Sequence, residues 1–314
     1  NIGRVMSRWF PFRDRGFAQG SIWMASRIGG ALAPTIFGFL TGVAGGWRAG
    51  FLVLGLIGTV WAVLFYLWFR DRPEDMPGVN EAEAELIRAG APPGSIHDDS
   101  HAKVPWLRLL TSTNLWALYV AHACICFSWF FFVTFFSKFL KEQHQLDFSK
   151  SELQSGLPLF VGGITCLLGG RLSDWLVRRT GSRRWGRSAV GCGSLLLAGA
   201  LMFFVPYARG VTEVMILLCL VSGAQDLMVP VMWSLPADIG GRHAGTVGGA
   251  MNMAGGAGGI LGVIVSGYIS SERFGWNGVF VMFGIAYIIA ALLWLRIDAS
   301  EPFEKPLAAS RSPE

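Results

Sequence analysis

Residues 13–55 read RDRGFAQGSIWMASRIGGALAPTIFGFLTGVAGGWRAGFLVLG, and residues 242–284 read RHAGTVGGAMNMAGGAGGILGVIVSGYISSERFGWNGVFVMFG. The two stretches align without a gap, and 13 of the 43 positions are identical. Arg13 matches Arg242, Gly16 Gly245, Gly20 Gly249, Met24 Met253, Ala25 Ala254, Gly29 Gly258 and Gly30 Gly259. Leu32 then matches Leu261, Gly38 Gly267, Gly46 Gly275, Trp47 Trp276, Phe51 Phe280 and Gly55 Gly284. Glycines in apolar segments coincide by chance, but they do not explain the Trp and Phe pairs or the unbroken register. Repetition of helices at a fixed offset is the signature of duplicated membrane folds. The chain is read as duplicated, and the duplication is incomplete at its front end.

The surrounding composition agrees. Of 314 residues, 52% are hydrophobic and 15% charged, with a mean hydropathy of +0.46. Soluble domains carry about 25% charged residues, so a bilayer is the expected solvent. The net charge of +5 does not point to nucleic acid, because Lys and Arg cluster in short stretches between apolar runs. Cys124, Cys126, Cys166, Cys192 and Cys219 all fall inside apolar runs, so neither a disulfide framework nor a zinc site is expected. No cofactor or metal is called for.

Runs long enough to cross a bilayer lie near 17–42, 50–69, 115–139, 155–177, 188–207, 211–235, 244–270 and 277–297. With residue 1 cytoplasmic, the inside segments hold 19 Lys and Arg and the outside segments 6, with Arg27 left inside a span. The positive-inside rule then places both ends in the cytoplasm. Residues 71–110 differ: Glu81, Glu83 and Glu85 lead into Pro92-Pro93-Gly94-Ser95 and His97-Asp98-Asp99. This reads as a polar tether with one short helix around Glu81–Ala89.

Spans one and two recur as spans seven and eight in the same orientation, with four spans between them. A parallel duplication with a period of six helices fits, so the second copy is complete and the first shows its last two helices. The opening residue is Asn1 and the pattern starts mid-stream, so the front is read as a truncation.

Gly170-x-x-x-Asp174-x-x-x-Arg178-Arg179 resembles the G-x-x-x-D-x-x-x-R-[RK] loop signature of the major facilitator superfamily. Trp9-Phe10-Pro11-Phe12-Arg13-Asp14-Arg15 is similar to the W-F-P-x-R-[ED]-R segment of its anion:cation symporter family. Asn114–Leu118, Leu235–Ile239 and Arg242–Val247 resemble further stretches of that family. The resemblance implies an all-α membrane protein of the major facilitator fold, its eight transmembrane helices corresponding to helices 5–12 of a twelve-helix, two-bundle transporter. Residues 1–70 would be the remnant of the first bundle, 71–110 the linker, 111–298 the complete second bundle and 299–314 a cytoplasmic tail. It also implies proton-driven symport of an organic anion such as galactonate, glucarate or a hexuronate, by a monomer in a bacterial inner membrane.

Gly169 and Gly170 let the fourth span approach a neighbour closely, as small residues do in membranes. Asp174 beside them is suited to face the positive N-terminal end of a helix, and by pseudo-symmetry that is the first span near Arg15–Ala18. That contact would hold a cytoplasmic gate shut; Arg178 and Arg179 belong to the same signature, or serve only as inside-positive anchors. Ionisable groups at bilayer depth are costly and usually functional. Arg27 is expected to meet a substrate carboxylate or an acid lost with the absent helices. Asp226, placed about two turns in from the external end of span six, is the candidate for the coupling proton, or lines a wet vestibule. The resemblance adds Asn252 and its repeat partner Trp23 as substrate contacts, and Trp129, Thr134 and Trp233 as cavity positions. Pro230 and Pro236 mark the sixth span as a hinge.

Two other classes compete. An intramembrane enzyme is disfavoured: there is no H-E-x-x-H and there are no paired intramembrane aspartates, and His122 reads as a packed core residue. A non-transporting scaffold or sensor is the other alternative, since two helices cannot wall one side of a cavity.

Overall fold

The computed structural model describes residues 5–6, 9–10, 14–70, 72–89, 104–145, 148–271 and 275–301. Among them every regular element is a helix: α1 (Arg15–Val43), α2 (Trp47–Trp68), α3 (Glu81–Ala89), α4 (Trp106–Thr111), α5 (Thr113–Thr134), α6 (Phe136–His144), α7 (Phe148–Thr180), α8 (Arg183–Phe204), α9 (Val211–Gly240), α10 (Ala244–Ser271) and α11 (Gly275–Trp294). All eight expected spans fall on long helices. Among the described residues, seven helices are long and apolar enough to cross a membrane. The eighth, α1, has the length at 29 residues, but Gln19, Arg27 and its many small residues dilute its hydropathy.

Local chemistry explains several boundaries. Ser112 caps α5 by accepting from the Leu115 N–H, and Ser182 caps α8 by accepting from Trp185. Asn80 does the same for the acidic helix α3, taking the Glu83 N–H at 2.8 Å. Three boundaries differ from the sequence reading. Span three was carried to residue 139, but α5 stops at Thr134 and the chain bends at Phe135. The bend turns Phe136, Phe139 and Leu140 inward, where Phe139 meets Trp276 and Phe280. Helix α7 begins at Phe148, well before residue 155, and α9 continues through both prolines to Gly240. The expected linker around Pro92–Ser95 and His97–Asp99, the Pro11–Arg13 part of the Trp9 motif and the tail beyond Glu301 lie outside the described residues.

Helix α9 is the central post, with 20 of its 30 residues buried. It packs on α7, α8, α10 and α1, while α11 fills the groove between α8 and α5, and α10 lies along α5. Small residues permit the closest approaches: a Cβ on Gly258 of α10 would run into the Ala123 carbonyl of α5. Helix α1 lies along α7 and touches α9. Helix α2 packs on α1, and Gly50 is its one buried residue.

Candidate functional site

Where α1 crosses α9, Arg27 reaches Asp226. The guanidinium Nε donates to Asp226 Oδ2 at 2.8 Å and Nη2 to Oδ1 at 2.9 Å, a two-pronged match between a planar fork and a carboxylate. Both side chains are buried, Asp226 completely. Burying two charges costs several kcal/mol per ion and is tolerated only with close pairing and further hydrogen bonds. Those bonds are present: Gln225 Nε2 donates to Asp226 Oδ1 at 3.0 Å, and Tyr287 Oη donates to Gln225 Oε1 at 2.6 Å. The Trp129 ring centroid lies 4.6 Å from the guanidinium carbon and that of Trp23 lies at 5.7 Å, placing two π-faces on the cation. Gly162 of α7 makes room, since a Cβ there would strike the Asp226 carboxylate. Pro230, four residues on, lacks the N–H that would bond the Asp226 carbonyl, so the α9 backbone is loosened at the pair itself.

Beside the pair is a cavity of about 350 Å³, lined by Trp23, Arg27, His122, Trp129, Trp233 and Asn252 together with Phe130, Met228, Val229 and Met232. Its character is aromatic and apolar, with one cation in its lining among the described residues. The Trp23 and Trp233 rings lie 5.2 Å apart, and His122 meets Trp233 edge-on at 5.7 Å. His122 Nδ1 and Trp129 Nε1 are buried without a hydrogen-bond partner among the described residues.

Five of the six expected substrate positions, Trp23, Arg27, Trp129, Trp233 and Asn252, thus converge on one cavity. Thr134 does not: it is exposed at the end of α5. Five residues beyond Trp129 is about 500° of rotation, which leaves Thr134 on another face of the helix. Two further expectations need correcting. Asp226 lies fifteen residues from Val211, near the middle of α9 and not two turns from its end. Arg27 has its acid within this chain, on α9. His122, read as core packing, also faces the cavity.

A second cluster lies at the other end of α1. The Phe17 backbone N–H, in the first turn, donates to Asp174 Oδ2 at 2.9 Å. This is a carboxylate on the positive end of a helix. Gly16 and Gly170 allow it: a Cβ on Gly16 would collide with Asp174, and one on Gly170 with the Gly16 carbonyl. Arg187 Nη1 lies 3.3 Å from Asp174 Oδ1 and donates to Ser173 Oγ at 3.2 Å, while its Nε lies 3.3 Å from Asp238 Oδ2. Arg15 Nη1 stands 3.9 Å from Asp238 Oδ1. All four ionisable side chains are buried, so four helices, α1, α7, α8 and α9, are tied by alternating charge. Arg178 and Arg179 are exposed, with Arg179 over the Trp175 ring at 5.3 Å. The sequence motifs do not single out Arg187 or Asp238; the available signal is a single acid among apolar residues, Asp238.

Comparison with known proteins follows the same lines. The family described as Major Facilitator Superfamily matches residues 1–263. A probable sulfoacetate transporter of Cupriavidus necator is 34% identical over 305 residues, covering 96% of this chain and 69% of the relative. A probable galactarate/D-glucarate transporter of Escherichia coli is 29% identical, covering 93% and 66%. The hexuronate transporter of Bacillus subtilis is 25% identical, covering 94% and 68%. The chain spans between 49% and 69% of the length of the curated relatives it matches.

Proposed function

The chain belongs to the major facilitator superfamily, and on that footing we propose that it carries an organic anion across a membrane by alternating access, driven by protons. The observation that carries this reading is Arg27. A buried guanidinium beside a cavity, where α1 meets the second bundle, supplies the one charge an anion needs at bilayer depth. The residues named around it are offered as the binding surface: Trp23, Trp129 and Trp233 for the body of the substrate, Asn252 for a polar group. The protein is placed in a bacterial inner membrane as a monomer with both ends cytoplasmic, residues 111–298 forming one bundle and residues 1–70 part of the other.

The Asp174 cluster supports a gate. Opening the cytoplasmic side requires α1 to leave α7, which breaks the Phe17–Asp174 bond and the Arg15–Asp238 approach together. A hydrogen bond to a charged group contributes about 1.5–3 kcal/mol, enough to bias the closed state while leaving it reversible. Sugar acids are the first substrate class to test. The apolar lining also favours a second, a carboxylate or sulfonate with fewer hydroxyls, because each hydroxyl buried without a partner costs about 1–3 kcal/mol.

The test is uptake into proteoliposomes of labelled galactonate, glucuronate and sulfoacetate, with and without an inward proton gradient. Uptake stimulated by the gradient is expected, and uptake indifferent to it sinks the proton drive. Asp174→Asn should lower uptake at least about tenfold, the equivalent of 1.4 kcal/mol; unchanged uptake removes the gate assignment.

A further inference from the structure

We infer that Asp226 is a built-in surrogate for the transported anion: it occupies the Arg27 fork when the site is empty and gives it up when protonated. The inference rests on the anion-transport reading and names how one charge and one proton are exchanged at that site. Arginine stays protonated throughout, so the exchange is between two anions for one guanidinium. In the empty state the fork is satisfied by Asp226 through Nε and Nη2. An incoming carboxylate or sulfonate head would bring a second negative charge to a buried spot. Two like charges held side by side away from water repel strongly, because little solvent screens them. A proton on Asp226 removes that repulsion. The balance is Arg27⁺·Asp226⁻ plus anion⁻ plus H⁺ giving Arg27⁺·anion⁻ plus neutral Asp226, with the proton taken up from the bathing solution and no other bond made or broken.

The surroundings are arranged for this exchange and offer few competitors. Helix α1 presents Arg27; α5 presents His122, Cys126 and Ser128; α7 presents Cys166; α9 adds Gln225 beside Asp226; α11 presents Tyr287; and α10 contributes Asn252 with Gly255 and Gly256. Among the described residues, Asp226 is the one carboxylate that meets Arg27. Gln225 holds it from the side through Nε2, a donor that suits a carboxylate and also the carbonyl oxygen of a protonated acid. Trp129 and Trp23 stay on the guanidinium whichever anion is bound, so the cation remains in place while its partner changes.

The experiment is calorimetric titration of purified protein in detergent with galactonate, glucuronate and sulfoacetate, in two buffers of different ionisation enthalpy. The wild-type protein should take up about one proton per anion bound, and affinity should fall about tenfold per pH unit on the alkaline side. Asp226→Asn should bind without proton uptake and with a flat pH profile, and added anion should raise its melting temperature more than that of the wild type, because it refills an orphaned fork. The double variant Arg27→Gln/Asp226→Asn, neutral at both positions, should fold and bind none of the probes. Proton uptake near zero in the wild type overturns the inference even if Asp226→Asn proves too unstable to purify. Uptake that persists in Asp226→Asn overturns it as well. A wild-type protein that binds none of the three probes at any pH instead counts against the anion-transport reading.

Discussion

The helix pairs α1–α2 and α10–α11 share a sequence pattern and have opposite surroundings. Trp276 is 4% exposed and its repeat partner Trp47 57%; Phe280 is 1% exposed and Phe51 59%. The second pair is enclosed by α5, α8 and α9, where Trp276 packs edge-on to Phe139 and donates its indole N–H to Glu142 at 3.2 Å. The first pair has α7 and part of α9 beside it, and α2 presents nearly all its side chains outward. The glycines are used differently along the two pairs. Gly258 and Gly259 abut α5, whereas Gly29 faces open space. At the other end the usage is reversed: Gly16 abuts Asp174, and Gly245 faces open space. A duplicated sequence therefore preserves contact surfaces, while the neighbours at hand decide which of them are occupied.

The largest contrast is expected from the tryptophans. Trp276→Ala should cost about 3–5 kcal/mol, as for other buried aromatic truncations, and Trp47→Ala should stay within about 0.5 kcal/mol, both measured by thermal unfolding in one detergent. Equal losses would mean that α2 is packed in solution as tightly as its counterpart. A smaller difference follows from the deep glycines. Gly258→Ala should lose about 1–3 kcal/mol by driving a methyl into the Ala123 carbonyl. Gly29→Ala should gain about 0.5–1 kcal/mol by stiffening an exposed helix position. Smallest of all is the reversed pair. Gly16→Ala pushes on the Asp174 carboxylate and should cost about 1 kcal/mol together with the Phe17–Asp174 hydrogen bond, while Gly245→Ala should be silent. Those two are best read by thermal unfolding beside the rate of labelling of a cysteine placed at the N-terminal end of α1.

Much of the fold was legible because a bilayer leaves few choices. Backbone groups in hydrocarbon must bond within their own segment, so each apolar run of sufficient length had to be a helix. The 229-residue offset between Arg13 and Arg242 then related the first helix pair to the last. Boundaries were less legible where side chains and not the solvent set them, as at Phe135, whose bend serves an aromatic cluster built from α6 and α11. Around the cavity, resemblance placed Trp23, Trp129, Trp233 and Asn252 near one another. It misplaced Thr134, because a position matched along a helix fixes depth while rotation decides which way the side chain faces.

What the sequence by itself determined is the class of solvent, the helices and their repeat, since these follow from polarity and periodicity along the chain. Which buried charge answers which was decided by the tertiary structure. Arg27 and Asp226 stand 199 residues apart, and Arg187 serves Asp174 and Asp238 at once. An ion pair forms where two charges leave water together, and that meeting is a property of how α1, α7, α8 and α9 cross.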